Sequence, residues 1–249
     1  MQSFPKNYIQ LNSKFRTNLS DNTNNCRIDL PNNLKKGYWR LVYFLFPNTI
    51  STVNNNNNKI SVQMKDSNDI ITCIIDTGFY THDSLPDAII KALNGSGQLN
   101  EGFVFDYSDV TRHITISNLF SEFRIVFDDQ LSTCSELLGY VEVNTDYAKD
   151  HVSQGLINLE PIHMLNVSID GITSIDQQNL FGTTFVIPIP SEQFGYTNYV
   201  PEVNFQQHLY VNSDKRNINL KLYDELNRPV DLNRADYMFI LERLDNCHD

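Results

Sequence analysis

A chain of 249 residues that is 41% hydrophobic and 11% aromatic can bury a substantial core, and all-β sandwiches and barrels reach this length as one domain. With only 10 Gly and 9 Pro it falls outside the collagen-like and proline-rich disordered classes. A formal net charge of −11 disfavours a general phosphate-backbone binder, which needs concentrated Lys and Arg, so no specific nucleic-acid binding is expected.

The opening, Met1-Gln-Ser-Phe-Pro-Lys-Asn7, has no signal-peptide apolar region, and synthesis in the cytosol is the simple expectation. Strand candidates then recur at short intervals: Cys26 to Leu30, Tyr38 to Phe46, Ile60 to Met64 and Ile70 to Ile75. The longest apolar stretch, Leu41 to Phe46, is far too short to span a membrane. The run Asn54 to Asn58 reads as a loop.

From Asp83 to Gly95 the pattern changes period. Leu85, Ile89 and Leu93 recur at i+4, Asp83 can cap, Pro86 sits in the tolerant first turn and Asn94-Gly95 can terminate, which predicts a helix. Strands follow at Phe103 to Tyr107, His113 to Ser117 and Glu122 to Phe127. A second helix, Leu131 to Gly139, is barely two turns long, with Thr133 and Glu136 at capping-box spacing. The polar stretch Asn144 to Gln154 reads as an exposed loop.

Downstream, His163 to Ile169, Phe181 to Ile187 and Phe205 to Val211 are strand-like. The chain closes on two strands around a polar turn. Ile218, Leu220 and Leu222 share one face of the first, Asp224 to Pro229 supplies the turn, and Tyr237 to Leu241 is apolar on both faces, as in a strand covered on two sides. Many short strands with few helices predict an all-β jelly roll, that is a β-sandwich, with two short helices and inserted loops. No linker composition divides the chain, so one domain over 1–249 is expected, with a loop insertion around 144–199.

Chemistry is sparse. No nucleophile elbow, phosphate loop, dinucleotide motif or H-E-x-x-H occurs. Cys26, Cys73, Cys134 and Cys247 form no C-x-x-C pair, so neither zinc nor a disulfide scaffold is indicated, and Cys26 and Cys73 read as buried free thiols. The six His are scattered, and His113, beside Arg112, reads as a structural or surface residue rather than a ligand. Lys35-Lys36 with Arg40, and Lys215-Arg216, are short basic clusters that read as solvated loops. Tyr196 and Tyr199 in a Gly-Tyr-Thr-Asn-Tyr loop would suit sugar stacking, although loop tyrosines more often pack.

One motif competes for an enzymatic reading. Ile74-Ile-Asp76-Thr77-Gly78 has the form of an aspartic-protease active strand, in which Asp76 would share a proton with a symmetry mate. Leu137-Leu138-Gly139 stands where retropepsin-like proteases place an apolar pair before a Gly. Against this, Phe79 is bulky where a small residue usually follows, and with no second D-T/S-G a homodimer would be required. The alternative is a turn before the helix, with Gly78 free to take positive φ.

Taken in order, several segments resemble the penton, or minor capsid, proteins of virophages and of Polinton-like and adintovirus-like elements. These are Leu11-Asn-Ser-Lys-Phe-Arg16, Cys26-Arg-Ile-Asp-Leu-Pro31, Trp39 to the Pro47-Asn-Thr49 turn, and Gly78-Phe-Tyr-Thr81 leading into the helix that ends Ala92-Leu93. Phe123-Arg-Ile-Val-Phe127, Leu137-Leu-Gly-Tyr140 and the closing Leu220 to Arg243, with its Asp224-Glu-Leu-Asn-Arg-Pro-Val-Asp231 turn, complete the series. The resemblance implies a structural protein of the virion with no enzymatic activity and no cofactor. It further implies single jelly rolls forming homopentamers at icosahedral vertices, beside a double jelly-roll major capsid protein. No catalytic, cofactor or metal residue follows from it.

Overall fold

Residues 7–18, 22–97, 99, 102–160, 162–175, 182–189, 195–202 and 206–244 are described by a computed structural model. In chain order the elements begin with β1 (Tyr8–Asn12), β2 (Asn25–Leu34), β3 (Gly37–Pro47), β4 (Lys59–Met64), β5 (Ile70–Ile74), α1 (Leu85–Asn94), β6 (Phe103–Tyr107), β7 (Ile114–Asn118) and β8 (Phe123–Ile125). They continue with α2 (Ser135–Leu138), β9 (Asp150–Val152), β10 (Met164–Ile169), β11 (Ile172–Ser174), β12 (Phe185–Pro188), β13 (Tyr196–Tyr199), β14 (His208–Val211), β15 (Lys215–Tyr223) and β16 (Met238–Arg243). Among the described residues every strand pairing is antiparallel and the α-helices are two short ones, so the fold is all-β.

The chain divides into two compact units, 1–50 with 162–249, and 51–161. No composition shift or linker announces either boundary. Residues 144–160 belong to the second unit, while 162–199 supplies β10 to β13 of the first.

The first unit is a two-sheet sandwich, ordered β1-β16-β3-β14-β11, with β13 also on β3, and β12-β10-β15-β2. Its wrapping is that of a jelly roll. Successive strands β2, β3, β10, β11, β12, β14, β15 and β16 alternate or nearly alternate between sheets, and the pairs β2 with β15, β3 with β14 and β10 with β12 nest like a rolled antiparallel ribbon. Alternation fixes which side chains enter the core. In β15, Ile218, Leu220 and Leu222 are buried against Cys26 and Ile28 of β2 and Val167 and Ile169 of β10. Phe44, Phe46, Phe185 and Phe239 fill the centre, with ring centroids 5.3–6.0 Å apart along the chain of contacts Phe46–Phe44–Phe239–Phe185.

The closing strands are real but do not pair with each other. β15 lies in one sheet and β16 in the other, where it is flanked by β1 and β3. Its burial alternates, Phe239 and Leu241 inward and Met238 and Ile240 half-exposed, so it is not covered on both faces. The apolar character of Met238 and Ile240 belongs to a partly open outer face.

The second unit holds two three-stranded sheets, β5-β4-β8 and β6-β7-β9, and α1, which buries Leu85, Ile89 and Leu93 as its spacing predicts. The capping details differ. Ser84, not Asp83, is the N-cap, and its hydroxyl is engaged with Thr81, outside the helix. In α2 the capping box does not form, because Thr133 Oγ1 accepts the Lys59 amide at 3.1 Å, and the helix is one turn ended by Gly139 at φ 72°. Asn54 to Asn58 is a loop, tied by Asn57, whose Oδ1 accepts the Asn54 amide at 2.7 Å and whose Nδ2 donates to Thr52 O at 3.0 Å.

Asn144 to Gln154 is not simply an exposed loop. It contains β9, and His151 points inward and is buried. Strands β1, β11 and β13 were not foreseen. They are short and polar, and they are strands because a longer neighbour (β16, β14 and β3) supplies the ladder. Cys26, Cys73 and Cys134 are buried and form no disulfide, while Cys247 lies outside the described residues.

Candidate functional site

Asp76 is the residue on which an enzymatic reading depends. It follows β5 in a turn, with its side chain 71% exposed and its carboxylate 2.8 Å from Lys91 Nζ of α1. Its carbonyl accepts the Tyr80 hydroxyl at 2.9 Å. Gly78 bridges to Val53 and does not adopt positive φ, so it is there for the bridge and not for a left-handed turn. Leu137 and Leu138 lie in α2, buried. A dyad mate would therefore have to displace Lys91 from an exposed surface. Asp76→Asn is expected to leave the thermal unfolding midpoint unchanged, because a solvent-exposed ion pair contributes little. A differential scanning fluorimetry trace showing a clear drop would contradict this.

Clefts open among the described residues of the second unit. One of about 480 Å³ is bounded by Ile71, Cys73, Asp76, Ala88, Lys91 and Ala92. Burial pushes the Cys73 thiol up, with a hydrogen bond involving Ser96 acting the other way, so the thiolate a nucleophile needs is disfavoured. Another, about 500 Å³, is bounded by His82, Tyr107, Asp109, Arg112 and Glu160, and has no Ser, Thr or Cys in its lining.

Ser153 Oγ lies 3.4 Å from His113 Nδ1, a pairing that looks like a nucleophile with its base. Its bonds argue otherwise. The hydroxyl donates to Gly155 O at 2.8 Å and accepts the Ile114 amide at 3.1 Å, while His113 Nδ1 lies 2.8 Å from Ser153 O. Ser153 is buried, and His113 is half-buried. Burial also pushes the Cys134 thiol up to about 12 and raises Tyr140. Among the described residues, no three of His, Cys, Asp or Glu form a group that could hold a metal. No helix there is long and apolar enough to cross a membrane.

In the first basic cluster Lys35 and Arg40 are held in ion pairs. Lys35 Nζ and the Lys36 amide bind Asp214 at 2.8 and 2.9 Å, and Arg40 binds Glu242 at 2.5 Å. Arg40 lies in β3 and Lys215-Arg216 in β15, so these are strand residues and not loops.

A different surface stands out in the first unit. β1 buries Ile9 and Leu11, β14 buries Leu209 and Val211, and β16 buries Phe239 and Leu241, which leaves the alternate residues of that sheet on its outer face. Tyr8, Tyr38, Tyr43, Tyr196 and Tyr210 are among them. Tyr38 and Tyr210 rings lie 5.3 Å apart, and the Tyr43 hydroxyl donates to Asn198 at 2.8 Å. The Tyr8 hydroxyl donates to Glu242 at 2.6 Å, which holds the Glu242 carboxyl below its ordinary range, with Arg40 adding to the effect. Tyr196 is 63% exposed, whereas Tyr199 packs against the core, so the two do not form a paired sugar platform. Exposed Tyr38 and Tyr196, with half-buried Tyr8, Tyr43, Tyr210, Met238 and Ile240 beside them, have the composition of a protein contact surface.

No protein-family model and no curated protein matches the chain. Among solved structures it is similar to the mavirus penton protein, at 14% identity over 96% of this chain and 100% of the other, with a TM-score of 0.44. It is also similar to a chain in the structure of the Sputnik virophage, at 11% identity over 96% and 98% of the two chains, with a TM-score of 0.34.

Proposed function

We propose that the chain is a structural protein of an icosahedral capsid, a jelly-roll protomer that closes into homopentameric vertices beside a double jelly-roll major capsid protein. In this reading it acts in the virion after synthesis in the host cytoplasm, its two units work as one assembling protomer, and no catalysis is involved. One observation carries the reading: the motif residues do not converge on a pocket, but stand at joints of the fold along its whole length. Ser13 joins β1 to Asp236 and Tyr237, Gly78 bridges to Val53, Gly139 ends α2, and Asp224 closes the turn after β15. An enzyme's motif residues gather where chemistry happens, whereas those of a building block hold its shape.

The outer face of the β1-β16-β3-β14 sheet is the proposed contact surface, meeting a different surface on the next copy, as a closed five-fold ring requires. Light scattering on purified protein, with negative-stain imaging, should find five protomer masses and rings, alone or with the major capsid protein. A protein that stays monomeric under both conditions would overturn the reading. Tyr38→Glu with Tyr196→Glu should abolish the rings while leaving circular dichroism unchanged, because both side chains are exposed in the protomer.

A further inference from the structure

We infer that His151 is an acid-released latch that fastens residues 144–152 across both sheets of the second unit. The segment is bonded on two sides. Its first half runs along β8: the Phe123 and Ala148 amides and carbonyls exchange bonds of 2.9 and 3.0 Å, Thr145 N donates to Ile125 O, Thr145 Oγ1 accepts the Ile125 amide, and Asn144 Oδ1 accepts the Phe127 amide. Its second half is β9, paired to β7 with His151 opposite Ile116. The imidazole reaches from the β7 side back to β8, its Nε2 2.8 Å from Phe123 O, the carbonyl that also accepts the Ala148 amide. One atom of β8 thus receives both halves of the clip.

On balance the surroundings favour the neutral ring, because burial outweighs the carbonyls that would suit a charged one. His151 is buried, edge-on to the fully buried Phe123 ring at 4.5 Å, and its own carbonyl is held by the Tyr140 hydroxyl at 2.7 Å. Of the titratable and charged groups on the packed elements, only Asp150 acts as a counter-charge, and it ranks last among the influences on the ring. Asp150 is exposed on the opposite face of β9 and Lys149 precedes it. From β8, Arg124 donates to Gln63 and lies over the Tyr147 ring. His113 precedes β7 and is held by Ser153, and Tyr140 and Cys134 are both shifted toward their protonated, uncharged forms. Burial accordingly lowers the His151 pKa from 6.5, while the carbonyls of Phe123 and Ala148, and Asp150, act the other way. Because the clipped state holds the lower pKa, the latch is at full strength above 6.5 and weakens as pH falls below it, until the ring protonates in place.

The test is amide hydrogen exchange on the full chain between pH 7.5 and 5, corrected for intrinsic rates and read at Phe123, Ile125 and Ala148. In the wild type the opening constant should rise as pH falls below 6.5, by at most about tenfold per pH unit, and level off once the ring protonates in place. His151→Gln should flatten that slope, and His113→Gln should retain it. A wild type without the slope, or a His151→Gln protein that keeps it, overturns the latch. Should His151→Gln fail to fold, NMR titration of the wild-type ring decides: a midpoint below 6.5 supports the latch and one at or above it overturns it. Neither outcome bears on assembly, which the scattering experiment addresses separately.

Discussion

Asp224→Ala is expected to lower the unfolding free energy of the first unit by about 3 kcal/mol, the scale on which removing one partner of a buried charged pair acts. The carboxylate is fully buried at the end of β15 and organises the entire turn. Oδ1 accepts the amides of Leu226 and Arg228 at 3.0 and 2.7 Å, and Oδ2 accepts Arg228 Nε at 2.6 Å. Around it the main chain closes, with Asp224 N donating to Arg228 O and Val230 N to Leu222 O. Alanine would strand the two amides and leave the guanidinium without this acceptor. Asn keeps one oxygen for the amides, so Asp224→Asn should cost about half as much. The single Trp, Trp39, is buried in the same unit with its indole donating to Lys35 O, so urea unfolding followed by its fluorescence reads the effect. A shift in midpoint indistinguishable from zero for Asp224→Ala would mean that the turn does not need its carboxylate.

Gly139→Ala should be comparably damaging to the second unit, at about 3 kcal/mol, from two costs that add. At φ 72° an L side chain is strained, and a Cβ there would stand 2.6 Å from Leu156 O and closer still to the Gly155 carbonyl. Neither neighbour is a flexible side chain that could move aside. The facing main chain is pinned to α2, with Gly155 N donating to Gly139 O at 2.7 Å and Asn158 N to Leu137 O at 2.9 Å. Relief therefore means parting α2 from residues 155–158. Loss of amide protection at those positions, with α1 retained, is the expected pattern. Gly155→Ala is the useful comparison, since its Cβ would meet Gly139 O at 3.3 Å without a positive φ, and it should cost less.

The fold class was legible because long strands with strong alternation, such as β3 and β15, declare themselves whatever surrounds them. What eluded the sequence was relational. Tyr196 to Tyr199 is polar enough to read as a loop and becomes a strand because β3 extends beyond β14 and offers the ladder that β13 takes. The Ile218 and Tyr237 runs look like a hairpin, yet proximity in sequence says nothing about which sheet each joins. Thr133 and Glu136 have the spacing of a capping box, but Thr133 is captured by the Lys59 amide, a residue whose nearness only the tertiary fold creates. The candidate contact face was the least legible part. Its tyrosines are spread from Tyr8 to Tyr210 and come together only through pairing, so no local motif signals them. Asp76 shows the converse, a tripeptide with a strong local form whose setting, an exposed carboxylate on Lys91, empties it of chemistry.

The nested ribbon of the first unit also dictates how the protein must come into being. Ile28 finds its partner at Ile218 and Tyr38 at Tyr210, so strands made early wait for strands made late, and everything in 51–161 is synthesised in between. The second unit is contiguous and closes shorter loops, which favours its folding first. During that interval β2 and β3 have no strands to pair with, which is when open edges attract those of other chains. The yield of soluble protomer is then governed by how long those two strands survive alone, and lower temperature or slower expression should raise it even if the finished roll is very stable.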